Sequence, residues 1–432
     1  MATASPQIAA VQRREVIAWA MYDFANSGYT TVVLTTVFSA YFTGVLAAGL
    51  GSGTATLLWT LAVSTANAVV LISGPVLGAM ADYRAQKKPY LLVTTVGCVL
   101  ATALLGLAGP GEVGLAMILV ILATIMFASG ENLIAAFLPE LASSARMGRI
   151  SGYGWSLGYF GGLLTLVLSL AYIQWAQRQG HQEAQFVPVV LWITALIFAL
   201  AAVPTFLWLR ERATPIPLPA GISYLRAGFG RVRLTLLEAR RYQDFFHFLV
   251  TLVVYQSGVA AVVVLAAIYA REVLGFTSDA LVVLIIVVNL SAAVGAFIFG
   301  HLQDRLGAKR TLALALAIWI VAIAIAFFAE QAADIWLAGN LIGVAMGASQ
   351  AVGRALIGVL TPLRRSGEFF GLWGLANRFA AIAGPLSYGL INYLTAGDHR
   401  LALLSTLAFF VFGLLLLLGV NEARGKAAAL NV

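Results

Sequence analysis

Long apolar segments follow one another along the whole chain, separated by charged residues or by Gly/Pro turns. Each has about 20 residues or more, the length of α-helix that crosses the hydrocarbon core of a bilayer. The pattern therefore predicts twelve transmembrane helices, numbered here as spans 1 to 12. They cover residues 15–47, 56–82, 88–108, 113–139, 150–177, 186–210, 244–272, 279–303, 308–329, 333–360, 367–394 and 400–421.

A polar stretch, 211–243, separates the first six spans from the last six. It opens with a Pro-rich extended segment, 214–219, and continues from Tyr224 to Arg241 with arginines interleaved among apolar residues. That pattern predicts a basic amphipathic helix at the inner membrane surface. The expected organisation is an N-terminal segment 1–14, a six-helix bundle 15–210, a linker 211–243, a second bundle 244–421 and a tail 422–432.

The basic residues predict the orientation of these spans. Most of the 26 Lys and Arg residues fall in the loops of one side, whereas Arg178, Arg271 and Arg400 fall on the other. By the positive-inside rule, both termini are expected in the cytoplasm, in a multi-pass protein of the cell membrane. A missed or invented span would have exchanged the sides of every later loop and destroyed this bias.

Composition excludes several functional classes. Charged residues make up 10% of the chain and hydrophobic residues 61%, whereas soluble domains carry about 25% charged residues. Cys98 is the only cysteine, and the four histidines are scattered, so we expect no disulfide, metal site or cofactor. The sequence lacks nucleophile–base arrangements and a phosphate-binding loop, which argues against an enzyme. The net charge of +8 reflects topology rather than a nucleic-acid partner.

The two halves of the chain repeat each other. Span 2 ends with Gly78 and Asp82, span 8 ends with Gly300 and Asp304, and both pairs of positions are 222 residues apart. Two further correspondences join Phe137-Leu-Pro139 to Leu360-Thr-Pro362 and Asn26-Ser-Gly28 to Gln256-Ser-Gly258. A duplicated six-helix unit with both copies oriented alike is typical of one large class of transporters.

The motif after span 8, Gly300-x-x-x-Asp304-Arg305-x-Gly307-x-Lys309, resembles the signature of the major facilitator superfamily. The first copy departs from it, with Tyr83 in place of Arg and Ala85 in place of Gly. Further stretches resemble the vacuole effluxer-like branch, which includes fungal amino-acid exporters. They are Trp19–Tyr29, Phe137–Leu141, Gly148–Gly152, Ser349–Arg354 and Glu368–Gly371.

This resemblance implies alternating access, in which two rigid halves rock about a central site. Glycines of the motif permit close helix approach. Its aspartates lie at helix C-termini, where the helix dipole disfavours a carboxylate, so they require cationic or helix N-terminal partners that form and break between states. The expected gating residues are Gly78, Asp82, Arg84, Gly300, Asp304 and Arg305.

Four ionisable residues lie well inside the spans: Asp23, Glu131, Arg354 and Arg378. Each costs about 2.5–3.5 kcal/mol at a helix centre, so none is expected to face lipid. Each lies about 8–11 residues, or roughly 12–16 Å, from the cytoplasmic end of its span, which predicts a single layer. Glu131 and Arg354 are equivalent positions of the repeat, and the layer is acidic in the first half and basic in the second.

Polar residues beside these charges complete a candidate binding site, with Trp155 and Trp373 as candidate aromatic walls. The candidate substrate-binding residues are Tyr22, Asp23, Asn26, Glu131, Asn132, Gln350, Arg354, Asn377 and Arg378. Three interpretations remain open. The charges pair and hold the halves in register; the arginines bind a carboxylate or phosphate while the acids bind an ammonium group; or Asp23 or Glu131 carries a coupling proton.

The mixed signs favour a zwitterion or small organic anion over a lipophilic drug. We therefore expect an all-α membrane protein that works as a secondary active transporter of an amino acid or related metabolite, with the bilayer and a proton as further partners. The resemblance favours efflux and a monomer. A lipid or drug exporter, and a membrane receptor that keeps the fold without transport, are the alternatives.

Overall fold

The structure is a computed structural model. It describes residues 11–50, 52–215, 223–274, 278–395 and 398–430. Most of the predicted N-terminal segment, part of the Pro-rich stretch and the last two residues of the tail lie outside these ranges. Within them, twelve long helices, α1 to α12, follow the order of the predicted spans. Their bounds are Arg13–Leu46, Ser52–Arg84, Lys87–Leu105, Val113–Ala135, Met147–Arg178, Glu183–Trp208, Gln243–Leu274, Ser278–Leu306, Ala308–Phe327, Ala332–Leu360, Ser366–Leu394 and His399–Leu418.

By length and composition, eleven helices of the described residues could cross a membrane. The remaining long helix, α11, is a continuous helix of 29 residues, but Asn377, Arg378 and Pro385 interrupt its apolar sequence. It packs between α2 and α7 as part of the bundle, so its lower hydropathy reflects an inward-facing polar side. The prediction of an all-α chain of membrane-spanning helices is confirmed.

The first helix is irregular in a way that the apolar pattern did not predict. Its α-helical parts, Arg13–Gly28 and Val37–Tyr41, alternate with wider π-helical turns at Tyr29–Thr36 and Phe42–Leu46. Threonine hydroxyls bond to backbone carbonyls in this region, with Thr36 Oγ1 donating to the Thr31 oxygen five residues back at 2.7 Å. Such bonds compete with the regular helical ladder and bend or widen a helix.

The two halves meet through α2 against α11 and through α5 against α8. A Cβ built on Gly78 would lie 1.9 Å from the Gly367 carbonyl oxygen, and one on Gly148 would lie 2.6 Å from that of Gly300. The helix backbones therefore touch, which only glycine permits. Both contacts lie where α2 and α8 end and α5 and α11 begin, here called the linker end. In this structure the bundle is closed at the linker end.

Two further helices lie outside the spans at this end. The linker helix, Tyr224–Leu237, packs along the last turns of α2, with Gly228 against Val76 and Met80. The C-terminal helix, Glu422–Leu430, packs on α10, with Gly425 against Leu360. The sequence predicted a helix in the linker but only a tail after span 12.

The repeat extends beyond the spans. The Glu211 carboxylate accepts the backbone N–H groups of Lys87 and Lys88 at the start of α3, at 2.7 and 3.2 Å. The Glu422 carboxylate does the same at the start of α9. Burial raises the pKa of Glu211, although the Lys87 and Lys88 N–H groups oppose the shift. Each six-helix unit thus ends in an acid that caps its own third helix.

Candidate functional site

The charges inside the membrane form two ion pairs, and each pair joins the halves. Asp23 Oδ2 on α1 lies 2.7 Å from Arg354 Nη1 on α10, and Glu131 Oε2 on α4 lies 2.5 Å from Arg378 Nη2 on α11. Glu131 and Arg354 occupy equivalent positions of the repeat, but they do not pair with each other: Glu131 pairs with Arg378, and Arg354 pairs with Asp23. The geometry matches the interpretation in which the charges hold the halves in register, at least in this conformation.

Arg354 is buried and held by several groups. Its side chain is 3% exposed. Its Nε donates to Ser151 Oγ at 3.2 Å, and its Nη2 donates to the Ser151 carbonyl oxygen at 3.0 Å. The guanidinium also lies 4.7 Å from the Trp19 ring centroid and 5.2 Å from that of Trp155, within cation–π range. Arg354 therefore joins α10 to α1 and α5 of the other half.

No side chain fits beside this pair. A Cβ on Gly154 of α5 would lie 2.3 Å from Asp23 Oδ2 and 2.5 Å from Arg354 Nη2. Asp23 Oδ2 contacts the guanidinium without the alignment of a hydrogen bond. The glycine thus gives the space that brings α5 against the charges.

The second pair is more accessible. The side chains of Glu131 and Arg378 are 29% and 16% exposed, compared with 11% and 3% for Asp23 and Arg354. The Glu131–Arg378 pair is therefore the more open of the two to a solute.

The depths of the two acids agree with the predicted layer. Trp19 Nε1 on α1 donates to the Ile134 carbonyl oxygen on α4 at 2.7 Å. The helices run antiparallel, so Asp23 and Glu131 each lie about one turn, or roughly 5 Å, farther from the linker end. Both acids are thus at similar depth, in reach of a small solute that touches both halves.

A cluster of side-chain amides lies in the second half. Gln256 Nε2 on α7 donates to Gln350 Oε1 at 3.1 Å and to Asn377 Oδ1 at 3.0 Å. Its own Oε1 is buried and lacks a hydrogen-bond partner among the described residues. The sequence marked Gln256 only as the repeat counterpart of Asn26, which was a candidate site residue. That correspondence was the signal that could have added Gln256.

The remaining candidates divide by environment. Asn132 is 6% exposed, and in the part of the chain that the structure describes neither amide atom has a hydrogen-bond partner. It faces Gly374 of α11, where a Cβ would lie 2.1 Å from Asn132 Oδ1. Tyr22 instead points into its own half, with its hydroxyl 2.8 Å from Thr95 Oγ1 and its ring against Phe198. Asn26 is buried on α1.

The two motif aspartates bind helix N-termini of the opposite half. Asp82 at the end of α2 accepts the backbone N–H groups of Gly367 and Glu368 on α11, at 2.9 and 3.0 Å. Asp304 at the end of α8 accepts the N–H of Gly148 on α5 at 3.1 Å and the Nε of Arg149 at 3.1 Å. A carboxylate at a helix N-terminus is favoured by the unpaired N–H groups and the helix dipole.

The motif arginines do not share this role. The Arg84 guanidinium lies 4.2 Å from the Tyr224 ring centroid of the linker helix, and Arg305 is exposed. Lys87, which follows the first motif, is fully buried and pairs with Glu140 while donating to Ser366 Oγ at 2.8 Å. The sequence assigned no role to Lys87 or Glu140, although Glu140 lies in one of the motif stretches.

The description "Vacuole effluxer Atg22 like" belongs to a family model that matches residues 52–430 of this chain. The chain belongs to this family. Relatives of the vacuole effluxer family include the "Uncharacterized MFS-type transporter YxiO" of Bacillus subtilis (strain 168), 31% identical over 419 residues that cover 94% of each chain. Autophagy-related protein 22-1 of Penicillium rubens is 25% identical over 66% of this chain and 51% of its own. The chain spans about half the length of such fungal relatives.

Solved structures show the same fold. The proton:xylose symporter XylE aligns with a TM-score of 0.73 and 16% identity, covering 96% of each chain. The human organic anion transporter MFSD10 aligns with a TM-score of 0.71 and 14% identity, covering 96% of this chain and all of that one. The major facilitator fold and the vacuole effluxer-like resemblance are therefore confirmed. The chain is a membrane transporter, and its family and structural neighbours are not enzymes.

Proposed function

We propose that the chain is a secondary active transporter of a small zwitterionic or anionic solute, an amino acid or a related metabolite. The observation that carries the proposal is the partly exposed Glu131–Arg378 pair, which joins the halves at the depth of the buried Asp23–Arg354 pair. A solute carboxylate can form two parallel hydrogen bonds with the Arg378 guanidinium, and a solute ammonium group can replace that guanidinium at Glu131. Such a solute satisfies both charges once they separate.

The amide cluster supports recognition of the solute's polar groups. Asn377 precedes Arg378 on α11 and accepts a hydrogen bond from Gln256 on α7, so the amide cluster adjoins Arg378 in the second half. The Asn132 amide, which has no hydrogen-bond partner among the described residues, follows Glu131 on α4 of the first half. Gln256 and Asn132 are buried polar groups that can gain hydrogen bonds when a polar ligand arrives, which favours a hydrophilic solute over a lipophilic one.

The buried pair supports alternating access. Arg354 contacts α1 and α5 across the interface, so opening of the linker end requires its bonds to Asp23 and Ser151 to break. In our proposal Asp23 and Glu131 are the candidates for a coupling proton, because a carboxylate that loses its guanidinium partner inside a membrane is stabilised by protonation. The direction is efflux from the cytoplasm across the cell membrane, by a monomer with both termini cytoplasmic.

The family description and the printed name of the human neighbour, an organic anion transporter, agree with this proposal. The loops rich in Lys and Arg surround the linker end, which supports its cytoplasmic placement. This structure, closed at the linker end, would then be the state whose site is reached from outside the cell.

Counterflow in proteoliposomes tests the proposal directly. Purified protein is reconstituted, loaded with one unlabelled solute at a time from a panel of amino acids and carboxylates, and assayed for uptake of the labelled solute. We expect exchange of at least one zwitterion or anion by the unaltered protein. Arg378→Gln should lose it, while the exposed-site control Arg310→Gln should retain it. Exchange at an unaltered rate by Arg378→Gln would remove Arg378 from the binding site.

The same vesicles separate binding from proton coupling. Glu131→Gln and Asp23→Asn keep the size of each side chain and remove its titration. The variant that lacks the coupling carboxylate should still exchange solute at saturating concentration, with weaker solute binding for Glu131→Gln, but lose uptake driven by a pH gradient. Gradient-driven uptake that survives in both variants would contradict proton coupling through either acid.

A further inference from the structure

The linker helix is folded with its polar side inward. Gly228, Arg231 and Thr235 are buried against the bundle, whereas large apolar side chains point away from it. Leu225, Phe229 and Leu236 are 54%, 52% and 53% exposed. Phe229 and Leu236 lie four and eleven residues after Leu225, so all three share one side of the helix. An apolar strip of this kind on an outer face requires a cover.

The inward side of the helix belongs to the closed linker end. Arg231 Nε donates to Glu368 Oε2 at 3.1 Å, and Arg231 Nη2 donates to the Arg364 carbonyl oxygen at 2.9 Å. The Thr235 hydroxyl also donates to the fully buried Glu368. The N–H of Glu368 is the one that Asp82 accepts from the other half. The docked linker helix therefore stabilises the contact between α2 and α11.

Its position along α2 gives the depth of the apolar strip. Gly228 packs against Val76 and Met80, and the apolar span of α2 extends to Arg84. The helix thus crosses α2 about four to eight residues, or roughly 6–12 Å, from the end of that span. That depth corresponds to the boundary between lipid headgroups and acyl chains, where amphipathic helices bury their apolar face.

A basic strip runs beside the apolar one. Arg226 and Arg233 are seven residues apart and share a side that is one residue, about 100°, from Leu225. Both are exposed, as is Arg240 just after the helix. Lys and Arg side chains near an anionic membrane surface are attracted to its negative charge. The charge and the apolar strip together match a lipid that has a phosphate and acyl chains.

We propose that this side of the linker helix is a docking site for anionic phospholipid of the surrounding leaflet. The phosphates bind Arg226, Arg233 and Arg240, and the adjoining acyl region covers Leu225, Phe229 and Leu236. Lipid binding then holds the helix against α2 and α11 and favours the conformation closed at the linker end. This proposal is independent of which solute the protein carries.

Hydrogen exchange of the full-length protein in nanodiscs tests the proposal. The discs contain phosphatidylcholine alone or an equal mixture with phosphatidylglycerol. We expect exchange across Tyr224–Leu237 to slow several-fold when phosphatidylglycerol is present. The triple variant Arg226→Gln/Arg233→Gln/Arg240→Gln should fold but lose this response. The control Arg13→Gln/Arg14→Gln/Arg310→Gln removes the same charge from exposed positions elsewhere and should retain it.

Three results would overturn the assignment. Equal exchange of the unaltered protein in both kinds of disc would show that anionic lipid does not bind the helix. Loss of the response in the control variant would show a general effect of protein charge. Slowed exchange in phosphatidylcholine discs after addition of inorganic phosphate would assign the arginines to a soluble anion instead of the leaflet.

Discussion

Gly154 of α5 packs directly against Asp23 and the Arg354 guanidinium. We expect Gly154→Ala to destabilise the protein by about 1–3 kcal/mol, because the added Cβ would overlap Asp23 and Arg354. Thermal unfolding in detergent measures the change. The control Gly389→Ala adds a Cβ on α11 with nothing within 4 Å, and should be neutral or stabilising by up to about 1 kcal/mol. Equal melting temperatures of the two variants would contradict this packing.

Ala85 has a strained backbone. It follows the first motif with φ of +51°, and its repeat counterpart Gly307 has φ of +86°. Both positions have a positive φ, although Gly307 has ψ of 157°, in a region that is essentially restricted to glycine. An L-residue in the left-handed region costs roughly 1–2 kcal/mol of stability. Glycine avoids that cost, but its greater freedom in the unfolded chain offsets about 0.5–1 kcal/mol of the gain.

We therefore expect Ala85→Gly to raise the free energy of unfolding by up to about 1 kcal/mol. Gly307→Ala should lower it, which makes the two substitutions a matched pair at equivalent positions. Thermal unfolding of both variants beside the unaltered protein gives the comparison. A lower melting temperature for Ala85→Gly would show that the turn is not strained.

At the scale of elements, two capping contacts decide how the linker end closes. Asp82 caps α11 and Asp304 caps α5, each across the interface between the halves. A hydrogen bond to a charged group contributes about 1.5–3 kcal/mol, enough to shift a two-state equilibrium about tenfold or more. We therefore propose that the two aspartates hold the linker end closed and that both caps release when it opens.

We expect Asp304→Asn to increase the population that is open at the linker end. Spin labels at the exposed positions Ser143 and Leu306, in a Cys98→Ala background, report the separation of α5 and α8. The longer distance should gain population. Asp334→Asn is the control, because Asp334 accepts N–H groups only near its own helix start. An unchanged distance distribution in Asp304→Asn would show that this cap does not control closure.

The sequence predicted the spans because a run of about 20 apolar residues has the length of a helix that crosses the hydrocarbon core. It could not predict the π-helical turns of α1, which depend on individual threonine hydroxyls, or the inward polar side of the linker helix. That side is fixed by Glu368, a buried carboxylate on another element. Side-chain pattern gives the two sides of a helix, but the partner decides which side is buried.

The candidate site shows the same limit. The layer of Asp23, Glu131, Arg354 and Arg378 followed from counting residues along straight helices, since depth depends only on rise per residue. Their pairing depends on the rotation and tilt of each helix about its axis, which the sequence does not encode locally. The orphaned Asn132 amide and the bonds of Gln256 likewise require coordinates.

At the scale of the molecule, each half is tied to its own end by an equivalent clasp. Glu15 at the start of α1 pairs with Arg212 at 2.8 Å, and Asp244 at the start of α7 pairs with Arg424 at 2.7 Å. The partner arginine follows the sixth helix of its unit in both cases. The duplicated unit therefore includes the beginning of the linker in the first half and of the C-terminal helix in the second. These two ion pairs each lie within one half, so movement of one half against the other does not require them to break.

In the alternating access that we propose, the contacts between the halves change, and the two membrane ion pairs are among them. Their exposure predicts different energetics. Removing one partner of a buried pair leaves an uncompensated charge and costs about 3–5 kcal/mol, whereas an exposed pair contributes about 0–1 kcal/mol. The Asp23–Arg354 pair should therefore show strong coupling in a double-mutant cycle, and the more accessible Glu131–Arg378 pair weaker coupling.

The cycles use Asp23→Asn with Arg354→Gln, and Glu131→Gln with Arg378→Gln, each as two single variants and the double variant. Thermal unfolding in one detergent should show that the Asp23→Asn/Arg354→Gln double variant recovers much of the stability lost by either single variant. The second cycle should be close to additive. Stronger coupling at Glu131–Arg378 would contradict this assignment. The pair that we assign to solute binding would then be the one that holds the halves together.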